Sequence, residues 1–114
     1  MEFDFKINQP KTWFIDLDGT LVEHNGYKNN GDKLLAGVKE FFNSLPFEDF
    51  VVITTARKIK YKKQTITFLK QNNIRYNHII FNLPTGERIL INDMKPDNSK
   101  TAYSINLTRN KGFL

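Results

Sequence analysis

Residues 12–22 read Thr12-Trp13-Phe14-Ile15-Asp16-Leu17-Asp18-Gly19-Thr20-Leu21-Val22, and the rest of the chain can be interpreted outward from them. An apolar run typical of a buried strand ends at one acid, and a second acid follows two residues later. Gly19-Thr20 then favours a turn. Two carboxylates at the end of a buried strand are costly unless they are paired, hydrogen-bonded or bound to a cation. The pattern therefore indicates a functional site at Asp16 and Asp18.

Composition limits the classes of protein that need to be considered. The 114 residues, 39% of them hydrophobic, predict a single folded domain over residues 1–114. The absence of cysteine excludes disulfides and thiolate metal sites. No stretch has the length of a signal peptide or a membrane span, so we expect a cytoplasmic protein that does not enter a membrane. The net charge of +5 comes largely from lysines on one predicted helix, which favours a solvated face over a nucleic-acid surface without excluding the latter.

The remaining patterns predict an alternation of strands and helices. Residues 1–11 resemble a leader strand or a packed arm, and the Asn25-Gly26 pair predicts a small hairpin flap within 21–28. Asp32 can cap a helix that ends at Pro46. The other predicted elements are strands at 12–17, 50–54, 78–81, 88–92 and 101–107 and a helix at 58–72.

This alternation predicts an α/β fold, a Rossmann-like three-layer sandwich with a mainly parallel sheet. The connection 82–87 is a difficulty, because about six residues are too few for a parallel crossover, which needs about a dozen or more. Two alternatives remain open. Strands 78–81 and 88–92 form a hairpin, or 78–81 is an edge segment outside the parallel set.

Polar groups follow three of the predicted strands. Asp16 and Asp18 follow the first, Thr54 and Thr55 end the second, and Asp93 with Asp97 follows the strand at 88–92. Binding residues of an open parallel sheet collect beyond the carboxyl ends of its strands. If these strands are parallel neighbours, acids and hydroxyls converge in one crevice, which suits phosphoryl transfer through Mg²⁺. A carboxylate can itself attack phosphorus to form an aspartyl phosphate.

The order of these groups resembles the haloacid dehalogenase superfamily, which consists mostly of phosphatases. Asp16-Leu17-Asp18-Gly19-Thr20 is similar to the first signature of that family and residues 51–57 to the second. Residues 89–93 together with Asp97 resemble the acidic fourth signature, so the likeness spans about residues 12–97. The region after the first signature can hold only the hairpin, and 56–88 only one helix and a short strand. The resemblance is therefore to a small member without a cap domain.

The resemblance implies a role for each motif residue. Asp16 would be the nucleophile, Asp18 the general acid and base, and Thr55 a ligand of the transferring phosphoryl group, with Thr54 as its replacement if the register shifts. Asp16, the Asp18 carbonyl and Asp93 would hold Mg²⁺, supported by Asp97. The third signature, normally a lysine, is missing, since Asn82-Leu83-Pro84 stands in its place. Lys95, Arg57 and Arg88 are the candidates, and Lys95 is favoured.

These roles predict a Mg²⁺-dependent phosphomonoester hydrolase that acts through an aspartyl phosphate on a small phosphorylated substrate. Small capless relatives of this kind suggest a sugar phosphate or a related metabolite of polysaccharide biosynthesis. Gly19, Thr54, Arg57 and His24 are candidates for substrate binding. The alternatives are a non-catalytic regulatory protein that binds metal or phosphate, and a phosphatase acting on nucleotide or nucleic-acid ends. An open crevice without a cap predicts a homo-oligomer with the flap, including His24 and Tyr27, near the active-site mouth.

Overall fold

A computed structural model describes residues 3–113, so the first two residues of the predicted leader and Leu114 lie outside the described part. It is an α/β structure with a three-stranded parallel sheet and two α-helices. The strands are β1 (Thr12–Asp16), β2 (Phe50–Thr54) and β3 (His78–Ile80), in the order β1-β2-β3. The helices are α1 (Val38–Ser44) and α2 (Lys62–Gln71), and single 3-10 turns lie at Gly26–Lys28 and Ile59–Tyr61.

The apolar runs become strands because each obtains a partner over its whole length. Asp16 lies opposite Thr54, and Thr54 lies opposite Ile80. The third strand corrects both alternatives for 78–81, since it pairs parallel to β2 and no strand is assigned to 88–92. Because 88–92 is not a strand, the short connection 82–87 never has to carry a crossover. The predicted strand at 101–107 does not form either.

Both helices pack on one face of the sheet. Val38 and Phe42 of α1 and Leu69 of α2 belong to the same buried cluster as Ile15 and Ile53. Right-handed crossovers between strands that neighbour one another in chain order place their helices on the same side. Phe14 points to the opposite face and is 60% exposed. The described residues therefore form two layers of regular structure, and the third layer that the sequence predicted is not assembled among them.

Two local predictions around the flap are wrong. Asn25-Gly26 begins a 3-10 turn, because Val22 pairs antiparallel with Leu34 and not with the residues directly after Gly26, so no tight hairpin closes at this pair. Helix α1 starts at Val38 after Gly37, whose φ is 78°, and Asp32 does not cap it. Asp32 instead binds a buried arginine, described below. The aromatic residues of the leader form a packed arm without a strand, with Phe5 against Trp13.

No helix among residues 3–113 is long and apolar enough to cross a bilayer.

Candidate functional site

The two acids of the opening motif lie where the sequence predicted, at the carboxyl end of β1. Asp16 is the last residue of the strand, and the Leu17 N–H donates to the Thr54 carbonyl at 3.1 Å. The chain then turns sharply, with the Gly19 N–H donating to the Val22 carbonyl at 2.7 Å. Gly19 has a φ of 85°, a backbone conformation that side chains with a Cβ rarely adopt. Strand pairing holds Asp16 at the edge of the sheet, and the turn that follows keeps Asp18 beside it.

Asp18 is held by a buried arginine. Its Oδ1 accepts from Nη2 of Arg57 at 2.9 Å and from Nε at 3.2 Å, and its Oδ2 accepts from the Thr55 hydroxyl at 3.1 Å. The Thr55 oxygen in turn accepts from the Arg57 backbone N–H at 3.0 Å. Arg57 is only 2% exposed. Asp18 is therefore fixed in orientation by charge-assisted hydrogen bonds.

The other side of Arg57 is bound by Asp32. Nη2 donates to Oδ1 of Asp32 at 2.6 Å, and Nη1 donates to Oδ2 at 3.0 Å and to the Thr65 hydroxyl at 2.9 Å. The Tyr27 ring lies 4.0 Å from the guanidinium carbon, in cation–π contact. Burial acts to lower the pKa of Arg57, but the hydrogen bonds and charges of Asp32 and Asp18 outweigh burial and raise it. The guanidinium therefore stays charged inside the protein.

Asp16 is much more open than Asp18. Its side chain is 43% exposed, and its Oδ2 accepts from the Thr20 hydroxyl at 3.1 Å. Nη2 of Arg88, itself half-exposed, lies 3.6 Å from its Oδ1. Burial raises the pKa of Asp16, while the Thr20 hydrogen bond and the Arg88 charge oppose that rise. A partly accessible carboxylate thus stands beside a cation and a hydroxyl, which is a setting able to receive an anionic group.

The predicted substrate-binding residues do not all face this opening. Thr54 and Thr55 are buried, and the Thr55 hydroxyl is occupied by Asp18 and by the Arg57 backbone. Arg57 is equally enclosed, so it positions Asp18 and does not reach solvent for a substrate. Nδ1 of His24 is buried without a hydrogen-bond partner among the described residues. Of the predicted set, Gly19 belongs to the turn that directly follows the two acids.

The sequence predicts that Asp93 and Asp97 help to hold Mg²⁺ and that Lys95 replaces the missing lysine. The segment that carries these residues does not join the site. Among residues 3–113 no three His, Cys, Asp or Glu side chains lie together as ligands of one ion, so Asp93 and Asp97 do not complete a cluster with Asp16 and Asp18. Asp97 has a lowered pKa, because the hydroxyl and the backbone N–H of Ser99 hydrogen-bond its carboxylate. The residues present do not provide the four-acid Mg²⁺ set that the resemblance implied.

Arg88, and not Lys95, is the cation beside Asp16. The backbone of Lys95 turns with Ser99 and Asn98, and within the described chain its side chain makes no ion pair with Asp16. The sequence placed Arg88 at the wrong end of the sheet because 88–92 was interpreted as a strand. Residues 88–92 lie outside the sheet, so Arg88 is not tied to the amino-terminal end of a strand.

Sequence reasoning also missed Asp32 and the carboxyl-terminal segment. The sequence predicts Asp32 as a helix cap, and the signal against that role is Gly37, five residues later, after which the helix begins. Asn110 belongs to none of the predicted motifs, yet its N–H donates to the Gly19 carbonyl at 2.9 Å. Contacts between residues so far apart in the chain leave no local pattern.

A second concavity lies away from the acids. A groove of about 470 Å³ is formed at the amino-terminal end of the strands by residues that include Phe5, Trp13, Phe41 and Asp49. Asp49 accepts hydrogen bonds from the Trp13 indole at 2.9 Å and from the Lys11 backbone at 3.0 Å, so its carboxylate is already satisfied. Neither Asp16 nor Asp18 lines the groove.

No family model, curated protein or solved structure matches this chain.

Proposed function

We propose that the chain is a phosphomonoester hydrolase of the haloacid dehalogenase type in which Asp16 is the nucleophile. The observation that carries the proposal is the contrast between the two acids. Asp16 is partly exposed beside Arg88 and Thr20, whereas Asp18 is held by Arg57 and Thr55 two residues away. A nucleophile must reach the substrate, and its partner must keep one orientation.

In the proposed reaction, an oxygen of Asp16 attacks phosphorus and the bond between phosphorus and the alcohol oxygen breaks. Asp18 enters this step in its protonated form and gives its proton to the leaving oxygen. In the second step Asp18 removes a proton from water, the water oxygen attacks phosphorus, and the bond to Asp16 breaks to release inorganic phosphate. Arg88 lies where it can offset the repulsion between the Asp16 carboxylate and an incoming phosphate. A sugar phosphate is the first substrate class to test, and nucleotide or nucleic-acid ends are the second.

Mg²⁺ dependence is proposed separately, because the described residues supply only two of the four acids that the resemblance assigns to the ion. No step above depends on a metal. Hydrolysis should be measured with Mg²⁺ and with a chelator, so that the metal requirement is decided independently of the identity of the nucleophile.

Asp16→Asn is the decisive variant. The amide keeps the shape of the side chain but loses its charge and nucleophilicity, so hydrolysis of an aryl phosphate and of a panel of sugar phosphates should fall by about three orders of magnitude or more. Asp4→Asn is the matched control, because Asp4 is an exposed acid of the leader arm and should keep wild-type activity. Retention of more than a few per cent of activity in Asp16→Asn would remove this residue from the role.

One observation favours a non-catalytic alternative. Three nitrogen-to-oxygen contacts from Arg57 enclose Asp18, which is also the state expected of an acid with a structural task only. In that case the protein would bind phosphate at Asp16 and Arg88 without turnover. The same hydrolysis assay together with calorimetric titration of inorganic phosphate separates the two, because the alternative predicts phosphate binding by wild-type protein and no hydrolysis of any phosphomonoester.

The open site also motivates the proposal of a homo-oligomer, in which a neighbouring subunit would help to exclude water from Asp16. The flap does not do this in one subunit, since Tyr27 is engaged with Arg57 and with the Tyr61 ring, 4.8 Å away between centroids. Light scattering at micromolar concentration tests it. A strict monomer that turned over small sugar phosphates efficiently would overturn the proposal.

A further inference from the structure

The carboxyl-terminal segment 108–113 lies against the turn that carries the two acids. The Asn110 N–H donates to the Gly19 carbonyl at 2.9 Å, and the Asn110 Oδ1 accepts from the His24 N–H at 2.8 Å. Asn110 has a φ of 64°, and the Lys111 N–H closes a turn onto the Thr108 carbonyl at 3.2 Å. The segment is therefore fixed to both ends of the loop that follows β1.

Two residues at the end of the segment anchor it in the core. Phe113 is buried, its N–H donates to the Ala36 carbonyl at 2.8 Å, and its ring centroid lies 4.7 Å from that of Phe41. Gly112 packs so closely that a Cβ there would fall 2.0 Å from the Ala36 oxygen. This close packing and the two Asn110 hydrogen bonds define where the neighbouring residue 109 can lie.

Arg109 is placed by this anchor directly over Gly19. Its Cγ, Nε and Cδ lie 3.1, 3.6 and 3.7 Å from the position that a Cβ of Gly19 would occupy. Residue 109 is exposed, and in the described range 3–113 its guanidinium makes neither an ion pair nor a hydrogen bond. An arginine with its stem against the Asp18-Gly19-Thr20 turn and its charge uncompensated is a ready anion ligand.

We infer that Arg109 is a substrate-binding residue, which takes the anionic group of a phosphorylated substrate at the mouth of the Asp16 site. The inference deepens the proposed function and rests on it for the identity of the substrate. The other two arginines near the acids are already engaged, since Arg57 is enclosed by Asp18 and Asp32, and Arg88 faces Asp16. A planar guanidinium can bind two phosphate oxygens at once.

Two variants separate the charge of Arg109 from its packing. Arg109→Met keeps an apolar stem over Gly19 and removes the charge, and Arg109→Lys keeps a charge without the planar fork. Lys111→Gln is the matched control, because it removes one exposed cation from the same segment. Thermal melts of all three should stay close to wild type. The assays are steady-state hydrolysis of the best phosphomonoester and calorimetric titration with inorganic phosphate.

Arg109→Met should raise KM by about tenfold or more with kcat nearly unchanged, because a lost charge-assisted hydrogen bond weakens binding by about that factor. Its phosphate affinity should fall in parallel, Arg109→Lys should recover part of it, and Lys111→Gln should change neither. Equal behaviour of Arg109→Met and Lys111→Gln in both assays would overturn the inference while the proposed function stands. Phosphate binding that depends on Arg109 in a protein without hydrolysis would overturn the proposed function alone. No phosphate binding and no hydrolysis by the wild type would overturn both.

Discussion

Strand β2 and the segment 88–92 have similar sequences and opposite environments. Phe50-Val51-Val52-Ile53-Thr54 and Arg88-Ile89-Leu90-Ile91-Asn92 are both short apolar runs with a polar residue at the end. Ile53 is fully buried between β1 and β3, whereas Ile91 is 91% exposed. The difference lies in the connections: β2 is joined to each neighbour through a helix, whereas only residues 81–87 separate β3 from 88–92. An apolar run predicts a strand only when its connection allows it to reach a partner.

This difference decides which acids meet. Asp16 ends a strand that the sheet holds in register with Thr54, so its position is determined by pairing. Asp93 follows a run that no strand holds, and it does not join Asp16 and Asp18 in a metal-binding group within residues 3–113. Arg88 nevertheless lies 3.6 Å from Asp16 and connects the two regions.

The largest expected effect is on the free energy of unfolding, and it distinguishes the buried Arg57 beside the sheet from the half-exposed Arg88 of segment 88–92. Arg57→Met leaves Asp18 and Asp32 without their shared cation, so the free energy of unfolding should fall by about 3–5 kcal/mol. Arg88→Met removes a half-exposed pair and should cost about 1 kcal/mol or less. Urea unfolding at neutral pH measures both. Equal losses would contradict the contrast.

A similar contrast applies to the apolar side chains. Ile53→Ala should lower the free energy of unfolding by about 2–5 kcal/mol, because it opens a cavity between the strands and the helices. Ile91→Ala should change it by about 0.5 kcal/mol or less, as for other exposed positions. Denaturant midpoints of the two variants test the environment of segment 88–92 directly. A loss near that of Ile53→Ala would show that this segment is buried in solution.

The pKa of Asp16 measures the contact between β1 and Arg88 of segment 88–92. Its pKa is raised above the ordinary value of 3.8 by burial, so the folded state holds its proton at a higher pH than the unfolded chain does. The stability linked to Asp16 is therefore fully present below pH 3.8 and is lost as pH rises through the folded pKa. Arg88→Met should raise that pKa further, since the Arg88 charge lowers it. Carboxyl carbon NMR titration of both proteins measures the difference, and an unchanged pKa would mean that Arg88 does not act on Asp16.

The smallest expected effect concerns the fourth-motif acids. If Asp93 stays outside the site, Asp93→Asn should alter the response of Tm to Mg²⁺ no more than Asp97→Asn does. Asp16→Asn provides the reference for loss of a residue at the site. If Asp93→Asn and Asp16→Asn both abolished the rise of Tm with Mg²⁺ while Asp97→Asn kept it, Asp93 would belong to the site. The contrast between β2 and segment 88–92 would then be wrong.

Local patterns account for the parts of the fold that the sequence predicts well. The apolar runs at 12–16 and 50–54 are strands, and the predicted helix at 58–72 is a 3-10 turn followed by α2. The edge of the sheet where Asp16 and Asp18 lie is also as predicted. In each case the signal is contained in a window of about ten residues, in which periodicity and continuous burial dominate.

Partners that lie far apart in the chain account for most of what the sequence did not predict. Asp32 has the side chain of a helix cap, but the buried charge of Arg57 offers it a stronger interaction than an exposed helix terminus does. The sequence predicts that Arg57 contacts substrate, because it follows β2 at the carboxyl edge of the sheet. Its burial depends on packing that no local pattern encodes. The contact of Asn110 with Gly19 joins opposite ends of the chain.

The anchored segment 108–113 also has a kinetic consequence. The hydrogen bond from His24 to Asn110 closes a loop of 86 residues, and such contacts form late because the chain must first lose the entropy of closing that loop. The parallel pairs β1–β2 and β2–β3 close shorter loops. We expect the sheet and the Asp18–Arg57 pair to assemble before the carboxyl-terminal segment reaches Gly19. Folding of the sheet and completion of the anion-binding edge would then be separable events, and the edge would be the last part of the molecule to become native.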